Sequence, residues 1–247
     1  MKETILDTGA RFLVGTKEEL YDQAAVQVAE ARSAGGNEGA VVACSGGSTP
    51  QDWYRWCVQT RALSAAAVAQ THFTVSDERC VPLADPQSNF GHADRLLLDP
   101  LGVPRAHRHP WAVDLTPPAA VAEHRATIAS LAGPGRAYDL CFLGLGDDSH
   151  TASLFPGSPL LDDDQGELFA TIEVPRKGWR LTITPAGLRA CQHVVVLALG
   201  AGKAPAVRRV FREPFDPVNV PTQILQKCGA KVLWLLDEAA AAGMGAI

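Results

Sequence analysis

Apolar positions along the chain fall into two alternating rhythms. Short unbroken runs of β-branched and large aliphatic residues lie at 40–44, 72–76, 138–143, 193–199 and 231–236, and each predicts a buried strand too short to be an ordinary helix. Residues 17–32 instead space their apolar side chains three and four apart, as an amphipathic helix does, and further helical segments are read at 119–131, 205–211 and 238–242. Another helix is expected just after residue 44, capped by Ser48 or Thr49, with Pro50 in its first turn, where a missing N–H costs nothing. Residues 169–174 and 180–184, separated by the turn-rich 175–178, predict a β-hairpin or a mixed-sheet edge.

Strands that alternate with helices build a parallel sheet. The expected fold is therefore α/β: a Rossmann-like, mainly parallel sheet with helices on both faces and a small hairpin or mixed edge. No internal repeat or low-complexity linker interrupts it, so residues 1–247 are read as a single domain. A hydrophobic content of 47% over 247 residues is ample for a sizeable core.

Charge narrows the function classes. The formal net charge is −5 and there is no run of Lys or Arg, which argues against a nucleic-acid partner held by bulk charge. An anionic ligand would need locally placed cations. The first 15 residues carry no secretory leader pattern and no stretch reaches membrane-spanning length, so a soluble cytoplasmic protein without a membrane partner is expected, as monomer or homodimer. Cysteines 44, 57, 80, 141, 191 and 228 lack C-x-x-C pairing and read as reduced thiols. His107 and His109 form an H-x-H pair with no third ligand beside it in sequence, which reads as a Pro-flanked surface loop. Neither a metal nor a cofactor is expected.

The chemistry lies in the loops at the carboxyl ends of the strands. The run 138–157, YDLCFLGLGDDSHTASLFPG, carries an apolar strand into a loop where Gly144 and Gly146 allow a tight turn. Asp147, Asp148 and Ser149 come next, and then His150, where a new helix is expected to begin with Thr151 and Ala152. A lone histidine in such a loop more often satisfies backbone groups than performs chemistry. After 40–44 come Gly46, Gly47, Ser48 and Thr49, whose amides and helix start suit a phosphate. After 72–76 comes Asp77-Glu78-Arg79, either a solvated charge cluster or a guanidinium placed for an anion. After 193–199 comes Gly200-Ala201-Gly202-Lys203, which lacks the Ser/Thr of a nucleotide-binding P-loop but keeps a lysine for a phosphate. Parallel strands bring their carboxyl ends to one rim, so His150, Arg79, Lys203 and the Gly46-Gly47 loop should converge on one sugar-sized anionic ligand.

Read in order, CSGGSTP at 44–50, SDERCVP at 76–82 with Ser88-Asn89 beyond it, GLGDDSHTASLFPG at 144–157, RLTIT at 180–184, GAGKA at 200–204 and WLLDEAAA at 234–241 resemble the 6-phosphogluconolactonase family. The resemblance implies the sugar-phosphate isomerase/deaminase type of α/β fold. It also implies hydrolysis of a small-molecule partner, 6-phospho-D-glucono-1,5-lactone, to 6-phosphogluconate in the oxidative pentose phosphate pathway. His150 would then act as general base and next as general acid. Asp148 would orient the imidazole, sense substrate hydroxyls, or merely cap the following helix. Arg79 and Lys203 would grip the phosphate, and Gly46, Gly47, Ser48 and Thr49 would meet the phosphate or the lactone oxyanion. Asn89 and Arg180 enter from the resemblance alone.

One position departs from the family pattern: Ser149 stands where a glycine usually precedes the histidine. If the position requires a positive φ, serine costs about 1 kcal/mol there; its hydroxyl could instead add a hydrogen bond. Two rivals stand beside this reading, the first of which shares the fold and the Gly-Ser-Thr-Pro and Gly-x-Gly loops. A glucosamine-6-phosphate deaminase or related aldose–ketose isomerase would follow Asp-Glu with Tyr and carry Asn-Glu-Pro beyond the histidine loop, where this chain has Arg79 and Leu154-Phe155-Pro156. A non-catalytic sugar-phosphate sensor would need a helix-turn-helix region, and the residues before 40 are taken up by a strand-like start and one helix.

Overall fold

The computed structural model describes residues 1–5, 9–34, 39–162 and 166–244. Its strands are β1 (Lys2–Ile5), β2 (Arg11–Gly15), β3 (Ala40–Cys44), β4 (Thr71–Val75), β5 (Asp77–Arg79), β6 (Leu140–Leu143), β7 (Phe169–Val174), β8 (Gly178–Ile183), β9 (His193–Ala198) and β10 (Val232–Asp237). The α-helices are α1 (Lys17–Ala34), α2 (Ser48–Thr60), α3 (Ala65–Ala69), α4 (Asn89–Ala93), α5 (Pro117–Ala132), α6 (Pro185–Ala190), α7 (Ala204–Arg212) and α8 (Glu238–Ala241). None of the described helices is long and apolar enough to cross a membrane.

The main sheet has seven strands in the order β1-β2-β10-β9-β6-β3-β4. Every pairing in it is parallel except the edge pair β1–β2. β3 and β6 are buried at every position, which is why their sequences are continuous apolar runs rather than alternating ones. Trp53 of α2 packs on Phe142 of β6 with ring centroids 4.8 Å apart, and its indole N–H donates to the Tyr21 carbonyl of α1. Helix faces and sheet are thereby locked together behind the loops.

The hairpin is not an edge of this sheet. β7 and β8 pair antiparallel and join β5 in a separate three-stranded sheet, with Arg79 directly opposite Arg180. Two local expectations are corrected. Gly47, which has no side chain, holds the N-cap of α2 at φ 101°, so Ser48 and Thr49 lie inside the first turn with Pro50. The chain after His150 does not begin a helix but turns back on itself, closed by the Leu154 N–H to Thr151 carbonyl bond of 3.0 Å. Ser149 and Ala152 adopt left-handed φ of 65° and 47°, which a right-handed helix cannot contain.

The 105–109 segment also differs from a plain surface loop. Arg108 bridges to Phe73 in parallel beyond β4, and the His72 and His109 ring nitrogens approach to 2.9 Å. Burial, with the neighbouring His72 and His107, lowers His109 to about 4. Among the described residues no group of three or more His, Cys, Asp or Glu side chains is arranged to hold a metal ion.

Candidate active site

A cavity of about 230 Å³ opens at the carboxyl ends of the parallel strands. The loop after β3 supplies one wall through Ser45, Gly46, Gly47, Ser48, Thr49 and Pro50. Its entry is held by the buried Tyr54 hydroxyl, which accepts from the Ser45 N–H at 3.2 Å and donates to the Ser45 carbonyl at 2.6 Å. The loop after β6 supplies Gly144, Leu145, Gly146, His150, Thr151 and Ala152, while Asp77, Arg79, Asn89, Leu197 and Lys203 complete the lining. Eight of the ten residues singled out from the sequence therefore converge here, and Asp148 stands immediately behind, on His150.

Asp148 Oδ1 accepts the His150 backbone N–H at 3.1 Å and also faces His150 Nδ1. Burial pushes the Asp148 carboxyl up, but the side-chain and backbone hydrogen bonds from His150, with the charges of His150 and Lys177, outweigh it and leave the carboxyl below its ordinary value. An ionised carboxylate only accepts, so we assign the proton to Nδ1 and the free lone pair to Nε2. Asp148 thus holds both the backbone N–H and the ring of His150 and caps no helix. Phe155 backs the ring at 4.6 Å between centroids, and Lys177 Nζ stands 4.5 Å from the Phe155 centroid. The loop closes on itself through Gly146 N–H to the His150 carbonyl, 2.8 Å, and Ser149 N–H to the Gly146 carbonyl, 2.9 Å.

The cationic side is built around a buried acid. Glu78 accepts the backbone N–H groups of Arg79, Asn89 and Phe90 at 2.8, 2.7 and 2.8 Å and the Ser88 hydroxyl at 3.0 Å. Burial raises its pKa and these four bonds oppose the rise. The acid thereby fixes the main chain from which Arg79 and Asn89 project. Asn89 Nδ2 donates to the Asp77 carbonyl at 2.8 Å, and Ser153 Oγ donates to Asp77 Oδ2 at 2.7 Å. Gly46 passes so close to the Asn89 amide that a β-carbon would overlap it. Arg79 donates to the Gln87 carbonyl, and Lys203 Nζ pairs with Asp147 Oδ1 at 2.7 Å.

Arg180 is the exception. It does not line the cavity; Nη1 donates to the Lys177 and Trp179 carbonyls at 2.5 and 3.1 Å, which pins the hairpin turn. Its pKa is lowered by burial and then by the neighbouring Arg79. Asp77, Leu145, Thr151, Ala152 and Leu197 were not singled out from the sequence. Asp77 was within reach of the rule that found Arg79, since both come after the same strand on the same rim.

Residues 15–234 match the sequence model of a family described as glucosamine-6-phosphate isomerases/6-phosphogluconolactonase. The chain belongs to this family. A 6-phosphogluconolactonase of Synechocystis is 35% identical over 204 residues, covering 81% of this chain and 82% of the relative. A 6-phosphogluconolactonase of Mycobacterium tuberculosis is 34% identical over 201 residues, covering 74% and 78%. The solved 6-phosphogluconolactonase of Trypanosoma cruzi superimposes with a TM-score of 0.81 at 25% identity, over 100% of both chains. The α/β fold expected from the sequence is thus the fold of the family. Because the family description joins two chemistries, the residues around the cavity must discriminate between them.

Proposed function

We propose that this chain hydrolyses 6-phospho-D-glucono-1,5-lactone to 6-phospho-D-gluconate, the step that opens the lactone in the oxidative pentose phosphate pathway. The observation that carries the reading is the Asp148–His150 pair on one wall of a cavity whose other walls hold Arg79 and Lys203. Arg79 stands where the deaminase pattern has tyrosine, and Leu154-Phe155-Pro156 where it has Asn-Glu-Pro.

A lactone is an activated ester, so the chemistry asked of the protein is modest. Nε2 of His150 takes a proton as water attacks C1, giving a tetrahedral oxyanion. The C1–ring oxygen bond then breaks and the same nitrogen returns the proton to the departing ring oxygen. Water is consumed, a carboxylic acid and a hydroxyl are formed, and the acid ionises. Such general acid–base assistance is worth roughly 10²–10⁴-fold. Asp148 holds the imidazole in the tautomer the first step requires and stabilises the imidazolium between the steps. The amides and hydroxyls of residues 46–49, at the start of α2, suit the oxyanion or the phosphate, and Arg79 and Lys203 supply the charge an acidic protein needs for a phosphate. Asn89 and Asp77 fit the sugar hydroxyls.

The deciding experiment is acid release from the lactone above its spontaneous hydrolysis, with wild type and His150→Ala. Turnover by the wild type and loss of most of it in a folded His150→Ala protein are expected. Near-normal turnover by His150→Ala would overturn the role of the histidine, and ammonia release from glucosamine 6-phosphate would assign the chain to the other branch.

A further inference from the structure

The tripeptide that carries the chemistry, Asp148-Ser149-His150, is held from behind by a segment distant in sequence. The Ser149 carbonyl receives two hydrogen bonds from one residue, Thr222: its backbone N–H at 3.0 Å and its hydroxyl at 2.7 Å. Thr222 is fully buried and lies 73 residues further along, in the 3-10 segment Pro221–Lys231. Arg209 of α7 adds a bond to the Asp148 carbonyl at 3.3 Å while also donating to the Asn219 carbonyl at 2.9 Å. Ser149 cannot hold this geometry with its own side chain, because its hydroxyl is buried and finds no hydrogen-bond partner among the described residues.

The planarity of the peptide group gives this arrangement its consequence. The Ser149 carbonyl and the His150 N–H belong to one trans peptide plane and point in opposite directions. Fixing the carbonyl on Thr222 therefore aims the N–H at Asp148 Oδ1, the atom that also faces the imidazole Nδ1. A single donor would leave the plane free to rock about that bond. Two donors from one buried residue remove this freedom.

We propose that Thr222 is a positioning residue for the His150 base, acting through the Ser149 peptide plane and Asp148 rather than on the substrate. This rests on the proposed lactone hydrolysis for its kinetic expression, but the geometry it asserts exists in the free protein. Thr222→Val keeps the shape and the backbone donor and removes only the hydroxyl, whereas Thr222→Ser keeps the hydroxyl.

The experiment has two readouts on wild type, Thr222→Val and Thr222→Ser. In lactone hydrolysis, Thr222→Val is expected to lose about ten- to a hundredfold in kcat, the range that misplacing a catalytic group by up to an ångström costs. KM should stay within about twofold because no substrate contact is removed, and Thr222→Ser should recover most of the rate. In the free protein, the His150 Nδ1 proton, tracked by NMR, should be protected in wild type and Thr222→Ser and lost to exchange in Thr222→Val. If Thr222→Val does not fold, Thr222→Ala replaces it in the same comparison. Wild-type kcat in the hydroxyl-free variant, an equal loss in Thr222→Ser, or an unchanged Nδ1 proton would overturn the proposal. Absence of lactone turnover by wild type would instead sink the proposed function, and the NMR comparison would still decide the clamp.

Discussion

The main chain of Gly146 runs against the imidazole of His150 so closely that no β-carbon fits between them: one built there would overlap Nδ1 and Cε1 of the ring. The glycine is needed for this contact and not for its φ, which is not among the positive ones. Gly146→Ala should therefore push the ring off Asp148 while leaving the buried sheet untouched. A loss of about a hundredfold in kcat is expected, with a thermal unfolding midpoint near that of wild type. Full activity in Gly146→Ala would show that His150 does not work from this position.

Ser149 pays twice for its place, through a φ of 65° and through a buried hydroxyl with no partner among the described residues. Glycine would relieve both. Left-handed strain costs about 1–2 kcal/mol and an unpaired buried polar group about 1–3 kcal/mol, against the extra chain entropy glycine loses on folding, about 0.5–1 kcal/mol. Ser149→Gly should raise the unfolding free energy by about 1–4 kcal/mol in urea denaturation. A destabilised variant would mean that the serine makes a contact of its own.

Arg79 lines the cavity from a backbone that Glu78 fixes at both ends of the turn. Removing it should weaken the phosphorylated lactone by roughly 1.5–3 kcal/mol, about ten- to a hundredfold, the usual worth of a hydrogen bond to a charged group. Unphosphorylated gluconolactone never uses the contact and should be hydrolysed almost as before. The measurement is kcat/KM for both lactones with wild type and Arg79→Ala; equal losses would place the guanidinium at the reacting carbonyl or in folding instead.

His124 gives the protein an acid-sensitive core. It is stacked on Trp111 with centroids 3.6 Å apart, its Nε2 lies 2.8 Å from the Tyr138 hydroxyl, and burial lowers its pKa to about 3, with His109 adding to the effect. The unfolded chain takes up that proton near 6.5, so the stability present above 6.5 is lost as pH falls from there towards 3. About 2 kcal/mol of unfolding free energy should disappear between pH 7 and pH 5 from this group alone. Urea titrations at the two pH values, on wild type and His124→Gln, check it, and the variant should show the smaller fall. Parallel pH dependences would exonerate His124.

The sequence by itself determined the elements whose identity is a matter of local pattern. β3, β6, β9 and β10 are buried on both faces, so their apolar runs announce them without reference to anything else. Their alternation with helices implies parallel pairing, and parallel pairing puts His150, Arg79, Lys203 and the Gly46-Gly47 loop on one rim. The tertiary structure alone decided the features whose partners lie far along the chain. Asp77–Arg79 is a strand because β8 pairs with it and four donors satisfy Glu78, and no pattern of apolar side chains in three charged residues could reveal that. Arg180 sits directly opposite Arg79 on β8, yet its guanidinium is taken up by the Lys177 and Trp179 carbonyls of the hairpin instead of lining the cavity, a choice of partner that no sequence pattern records. The helix expected after His150 is replaced by a turn in which Ala152 takes a left-handed φ of 47°, and the Ser149 carbonyl before it is held by Thr222 from 73 residues away; likewise His72 meets the H-x-H pair where Phe73 and Arg108 bridge. Periodicity records which face of an element is buried, since that is written within a few residues; a hydrogen bond closed across 73 residues leaves no such trace.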